Sequence, residues 1–179
     1  MTDEQLVERF PPSEVELVMG IGSLWPCDDR SHRAWIAKRF LDQGYRFPPI
    51  VHPFSWVAPG VSIGMGSQIM AGVVVQPGSR IGDFSIINTR ASVDHDCTVG
   101  NHCHLAPGVT LSGSVVIGDG THLGTSCSVV QAVRLEKCSF IAAGATVTQS
   151  FPCGVYLRGT PARPFEPTRS RKMELPDAE

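Results

Sequence analysis

The residues of this sequence best suited to chemistry stand together at Val93-Asp94-His95-Asp96-Cys97. Histidine titrates near neutrality, so it can take a proton from an amine or a hydroxyl. A neighbouring carboxylate fixes the ring tautomer and stabilises the imidazolium that forms. Asp96 is the candidate partner. Further along lies Gly113, whose backbone N–H is open to close approach and can polarise an acyl carbonyl in the manner of an oxyanion hole. A base, its carboxylate and an oxyanion donor are the parts of acyl transfer without a covalent enzyme intermediate. Asp94, His95 and Asp96 read equally well as polar corner residues on a solvated surface. What separates the two readings is whether the chain brings His95 and Gly113 together.

The elements that must do so are visible as a repeat. From Val57 to Pro152 the chain divides into sixteen hexads, VAPGVS, IGMGSQ, IMAGVV and so on through VDHDCT, VGNHCH and LSGSVV to VTQSFP. Every first position is Val, Ile or Leu, and every fifth position except Phe151 is small or Val. An aliphatic residue at each sixth position, without one insertion, is the signature of a parallel β-helix. Three hexads make an 18-residue triangular coil, so sixteen predict about five coils, stacked about 4.8 Å apart as paired strands are. First and fifth positions point inward, and the corners carry Gly, Asp, Asn and Pro, which tolerate sharp turns. Residues one coil apart then lie above one another. His95 falls between Pro77 below and Gly113 above, and His104 directly beneath His122. The period does not set the handedness, for which ordinary crossover rules favour a right-handed turn.

Residues 1–53 precede the repeats and read as a partial α/β lobe. Thr2 to Phe10 predicts a short helix with Thr2 as N-cap and Gln5 as its capping-box partner, stopped by Pro11 and Pro12. Val15 to Met19 predicts a buried strand entering a tight turn at Gly20-Ile21-Gly22-Ser23, and Ser31 to Gln43 a helix with Ala34, Ala37, Phe40 and Leu41 on one face. Pro49 to His52 predicts a second strand, completing a βαβ unit too small to stand alone, which should dock on the β-helix. The β-helix domain spans 54–157, Val155 to Leu157 suits a closing strand, and 158–179 is a polar C-terminal tail, mobile from about Pro167.

Composition narrows the function further. The 179-residue chain is 42% hydrophobic, and its 15 basic and 17 acidic residues leave a net charge of -2, with no broad footprint for nucleic acid or an anionic membrane. No apolar run is long enough to span a bilayer, and MTDEQLVERF lacks the apolar core of a signal peptide, which points to the cytoplasm. Of the six cysteines, Cys97, Cys103 and Cys127 occupy fifth positions and read as small buried filler. There is no CxxC pair, and His102, His104 and His122 lack an H-x4-H spacing, so no metal is expected.

The hexad array resembles the left-handed β-helix, or hexapeptide-repeat, acyltransferases, typically trimers with active sites between neighbouring prisms. Within them, INTRASVDHDCTVGNHCHLAPG is similar to the central motif of the bacterial sugar acetyltransferases of the sialic acid O-acetyltransferase type, which include N-acetyltransferases of nucleotide-linked 4-amino sugars. The resemblance covers about residues 15 to 165. It implies a mainly β fold, a left-handed parallel β-helix with a small N-terminal βαβ lobe. It further implies acetyl-CoA as donor, a sugar or nucleotide sugar acceptor, a homotrimer and a place in surface glycan assembly. By position, His95 matches the general base and Asp96 its partner. Asn88 matches a polar residue near the acceptor sugar, His104 the second histidine of the motif, facing acceptor or acyl group, and Gly113 the glycine whose amide meets the thioester carbonyl. Gly159-Thr160-Pro161-Ala162-Arg163 is similar to the G-x-P-A-[KR] signature beside the coenzyme A nucleotide, where Arg163 with Arg158 would meet a phosphate. One departure bears on the acceptor. Full-length relatives open with a strand and glycine-rich loop that hold its nucleotide, whereas here no glycine precedes Gly20, as in a truncated or naturally short chain. A non-catalytic β-helix trimer acting as a scaffold is the alternative reading.

Overall fold

The computed structural model describes residues 3–22 and 32–166. Its body is a triangular solenoid built from strands of two residues, each taking the last position of one hexad and the first of the next. The first face stacks Ile50–Val51, Gln68–Ile69, Ile86–Ile87, His104–Leu105, His122–Leu123, Phe140–Ile141 and Tyr156–Arg158, closed by the antiparallel Arg163–Pro164. Six strands from Trp56–Val57 to Thr146–Val147 form the second face, and five from Ser62–Ile63 to Arg134–Leu135 the third. Pairings between coils are parallel and in register at 18 residues, Val93 opposite Val75 on one side and Leu111 on the other, except at the last rung, where Ile141 pairs with Leu157, 16 residues on.

Eighteen parallel strands, three to a coil, make six coils of left-handed sense. The regular hexads predict about five. The difference arises at the ends, where Ile50–Val51 starts the first face and Tyr156–Arg158 closes it outside the strict repeat. The handedness departs from the crossover rule because that rule rests on packing a helix against a twisted sheet. No helix lies in these crossovers. The chain turns instead at corners, and the fourth residue of fifteen consecutive hexads, from Gly60 to Gly144, has positive φ. Glycine enters that region freely, and Asp, Ser and Ala do so at a cost. Yet Phe84, Arg90, Asp96, His102, Ser114, Ser126, Ala132 and Cys138 all adopt it, so stacking between coils overrides residue preference.

First positions fill the prism. From Ile69 to Val147 none is more than 3% exposed. Truncating one at mid-stack leaves a cavity that rigid coils on both sides cannot close. Leu123→Ala is therefore expected to lower unfolding stability by about 2–5 kcal/mol, seen as a lower denaturant midpoint at unchanged slope. Fifth positions are small because they carry a buried ladder. Ser85 Oγ donates to Gly100 O at 2.7 Å and accepts Cys103 N–H at 2.9 Å, and Cys103 Sγ continues upward to Gly118 O at 3.2 Å. Burial pushes the Cys103 and Cys127 thiols up to about 12, which leaves them inert as nucleophiles.

The N-terminal residues form helix α1 (Asp3–Arg9) and helix α2 (His32–Asp42). The expected strand at Val15 to Met19 is an extended segment with a single parallel bridge, Glu16 to Arg46. Its partner is not the segment at Pro49 to His52. Ile50–Val51 pairs with Gln68–Ile69 as the first solenoid strand, where Ile50 N–H donates to Ser67 O at 2.8 Å and His52 N–H to Ile69 O at 2.9 Å, so the open edge of the first face takes up its backbone donors. Gly20 and Gly22 lie outside the positive-φ region, and Ser23 lies outside the described residues, as do the cap at Thr2 and the tail from residue 167.

Docking on the solenoid runs through Phe84. Its ring meets Phe47 edge-on at 5.3 Å, and its carbonyl accepts from Arg33, which also donates to Ile21 O at 2.8 Å. Gly66, one coil below, leaves room for that ring, since a Cβ there would lie inside it. Burial lowers the Arg33 pKa to about 10. Among the described residues no helix is long and apolar enough to cross a membrane.

Candidate active site

Residues 94–97 form the corner between the second and third faces in the third coil. Asp94 and Asp96 do different work there. Asp94 Oδ1 accepts the His95 backbone N–H at 2.7 Å and so shapes the corner. Asp96, in the positive-φ position at 59°, donates its N–H to Pro77 O below at 3.0 Å and turns its carboxylate back along the surface. There Oδ2 lies 2.9 Å from His95 Nδ1. A carboxylate accepts, so Nδ1 carries the proton and Nε2 is left with its lone pair. The Asp96 hydrogen bond, followed by the charges of Asp94 and Asp96, outweighs desolvation and raises the His95 pKa above its ordinary value.

Nε2 points at Gly113. A Cβ on that glycine would lie 2.5 Å from Nε2 and 2.6 Å from Cε1, so the ring occupies the space a side chain would take. At the corner between the third and first faces, the third-position N–H groups of Met65, Asp83 and Asn101 donate to the side chains of Asp83, Asn101 and Asp119 in the coil above. Among the described residues the Gly113 N–H is given to no acceptor. A lone-pair nitrogen and an uncommitted amide donor thus sit one rung apart.

Asn88 and His104 meet at the preceding corner, between the first and second faces. Asn88 Oδ1 accepts the Thr89 N–H at 2.7 Å, which orients the amide and aims Nδ2 at His104 Nε2, 3.3 Å away. His104 begins a column of rings up the first face, with His122 at 4.9 Å, then Phe140 and Tyr156. His102 does not join it. It stacks on Phe84 at 5.4 Å, where burial and then the Arg33 charge lower its pKa. Among the described residues no group of three His, Cys, Asp or Glu side chains converges to hold a metal ion.

Arg158, Gly159, Pro161 and Arg163 cap the first face four rungs above Ile87. Arg158 and Arg163 are directly opposite one another in an antiparallel pair, a like-charge juxtaposition that favours an anion between them. Arg158 also lies over the Phe165 ring at 5.0 Å. The nine residues singled out from the sequence thus fall into three groups, at two corners and the cap. Beneath Asp96, one coil earlier, lies Gly78, where an added Cβ would meet the Asp96 carboxylate.

Comparison with known proteins bears on the family and the fold. The family description "Bacterial transferase hexapeptide (six repeats)" matches residues 78–113, and "Hexapeptide repeat of succinyl-transferase" matches 114–149. The acetyltransferase domain of PglB from Neisseria gonorrhoeae FA1090, also solved with acetyl coenzyme A, is similar at 32% identity and a TM-score of 0.83, covering 90% of this chain and 77% of that one. PerB from Caulobacter crescentus in complex with CoA and GDP-perosamine is 36% identical with a TM-score of 0.75, covering 77% of this chain and 67% of its own. GDP-perosamine N-acetyltransferase of Escherichia coli O157:H7 is 33% identical over 137 residues, 73% of this chain and 62% of the relative. The chain spans 34% of a Helicobacter pylori UDP-N-acetylglucosamine O-acyltransferase that it also matches. Its unbroken hexads, its left-handed coil and these likenesses make the chain a member of the hexapeptide-repeat, left-handed β-helix acyltransferases, related to the sugar and nucleotide-sugar N- and O-acetyltransferases.

Proposed function

We propose that the chain transfers an acetyl group from acetyl-CoA to an amino or hydroxyl group of a sugar or nucleotide sugar, as a cytoplasmic step of surface glycan assembly. The observation that carries this reading is the His95–Asp96 pair with Nε2 turned toward the uncommitted Gly113 N–H. As the acceptor nitrogen or oxygen attacks the thioester carbonyl, Nε2 takes its proton and Asp96 stabilises the imidazolium. The Gly113 N–H steadies the tetrahedral oxyanion. Collapse breaks the carbon–sulfur bond, and the departing thiolate takes the proton from His95.

Donor binding follows the axis of the prism. Arg158 and Arg163 lie four rungs up, about 19 Å at the usual strand spacing, a span the extended pantetheine arm of coenzyme A is long enough to bridge. Gly159 and Pro161 shape that cap. Asn88 and His104 face the acceptor from the preceding corner. In this reading a neighbouring prism of a homotrimer completes the pocket, the arrangement that the resemblance to the β-helix acyltransferases implies. Solved relatives whose descriptions name acetyl coenzyme A, CoA and GDP-perosamine support the choice of ligands.

The test offers acetyl-CoA with a panel of amino sugars, free and nucleotide-linked, and reads products by mass spectrometry. Gain of one acetyl group on a panel member is expected, as is saturable heat when acetyl-CoA alone is titrated by calorimetry. A chain that gave neither would be the scaffold module instead.

A further inference from the structure

We propose that Gly78 is a positioning residue for the His95–Asp96 pair, its missing side chain being the space in which the Asp96 carboxylate rests. The inference rests on His95 as the base of the reaction above. A Cβ built on Gly78 would fall on Asp96 Oδ1, inside any van der Waals contact, and 3.2 Å from Cγ. Oδ1 therefore lies on the bare α-carbon of the coil below while Oδ2 reaches up to Nδ1. The two oxygens share one plane, so displacing Oδ1 swings Oδ2 off the ring.

The fold has little stake in this contact. Asp96 Oδ1 is the end of an exposed side chain and is free to move outward. Ala132 occupies the same fourth position two coils above Asp96 at φ 60°, so this corner accommodates a methyl in the left-handed conformation. Gly60, one coil beneath Gly78, shares its conformation at φ +83° but has nothing within 4 Å of a built Cβ. The two glycines match in backbone strain and differ only in what lies above them. Charged groups facing His95 are Asp94 and Asp96 on its own corner. The coils packed on either side present Pro77 and Gly78 below and Ser112, Gly113 and Ser114 above, none of which titrates near neutrality.

The experiment compares Gly78→Ala, Gly60→Ala, Asp96→Ala and the Gly78→Ala/Asp96→Ala pair in the full chain. NMR titration of the His95 ring needs no substrate. The His95 pKa is expected to fall in Gly78→Ala as it does in Asp96→Ala, and to stay at the wild-type value in Gly60→Ala. With a verified acceptor, kcat/KM should fall up to about a hundredfold in Gly78→Ala, the scale of a misplaced catalytic group, with no further loss when Gly78→Ala is added to Asp96→Ala. An unchanged titration and kcat/KM in Gly78→Ala, or an equal loss in the Asp96→Ala background, would overturn the inference. His95→Ala separates the two levels. If it stays active the base assignment fails, whereas an inactive His95→Ala beside a normal Gly78→Ala defeats the positioning role alone. Should Gly78→Ala fold poorly, removing the carboxylate in the double variant should restore thermal stability to that of Gly60→Ala. A double variant that stays unfolded would show that the methyl meets something other than Asp96, against the proposal.

Discussion

His95→Ala is expected to lower turnover by about a hundredfold to ten-thousandfold, the range for loss of a general base. No other described side chain stands where Nε2 does beside Gly113, because the nearest atoms there all belong to the His95 ring, Asp94 accepts a backbone N–H and the Asp96 carboxylate lies down against Gly78. The alanine variant should keep its fold, since the ring is half-exposed and outside the core. Acetyl-CoA binding at the cap should survive, so the loss falls on kcat. The pH profile carries the same assignment. A base works only when neutral, and its pKa is raised by the Asp96 hydrogen bond and then by the Asp94 and Asp96 charges. Wild-type kcat/KM should therefore climb with pH to a plateau, with its midpoint above the ordinary histidine value. In Asp96→Asn the charge is gone, the midpoint moves to lower pH and the plateau falls. Full turnover in His95→Ala would end the assignment.

Gly113→Ala should be nearly as damaging, by about a hundredfold to a thousandfold, the cost of a spoiled oxyanion site. Gly113 lies outside the positive-φ region, so alanine suits its backbone. The three atoms nearest the new methyl all belong to the His95 ring, at 2.5, 2.6 and 3.1 Å. The ring must leave, which breaks its alignment with the Gly113 N–H and strains the hydrogen bond to Asp96. Since an exposed ring gives way more readily than the coil, thermal stability should stay near wild type while activity collapses. Intact kcat in a folded Gly113→Ala protein would show that the ring does not work from this position.

Much of the site is legible in the sequence because the hexads never slip. Val93 and Leu111 are both first positions, which places His95 under Gly113 by counting alone, and the in-register pairing bears that out. The contact of Asn88 with His104 was less accessible. It joins a corner to a strand of the next coil and depends on an amide rotation fixed by the Thr89 N–H. Gly78 could not be found from residue type, because glycine at a corner already has a sufficient reason in its backbone. Only the direction taken by the Asp96 carboxylate gives it a second one. The N-terminal region was read least well. One bridge from Glu16 to Arg46 has no periodic signature, and Ile50–Val51 looks the same in sequence whether it pairs with that segment or with the solenoid.

By itself the sequence determined which positions face inward, how residues stack from coil to coil and hence where His95 meets Gly113. A period of six with aliphatic first positions and small fifth ones permits little else in water, because any slip would expose the core. Tertiary structure decided the hand of the coil, the left-handed backbone at corners occupied by Phe84 or Asp96, and the glycines on which those side chains rest. Hydrophobic periodicity records burial, and burial is blind to chirality. The hand and the lean of a side chain come from corner torsions, and those are set only when one coil is laid on the next.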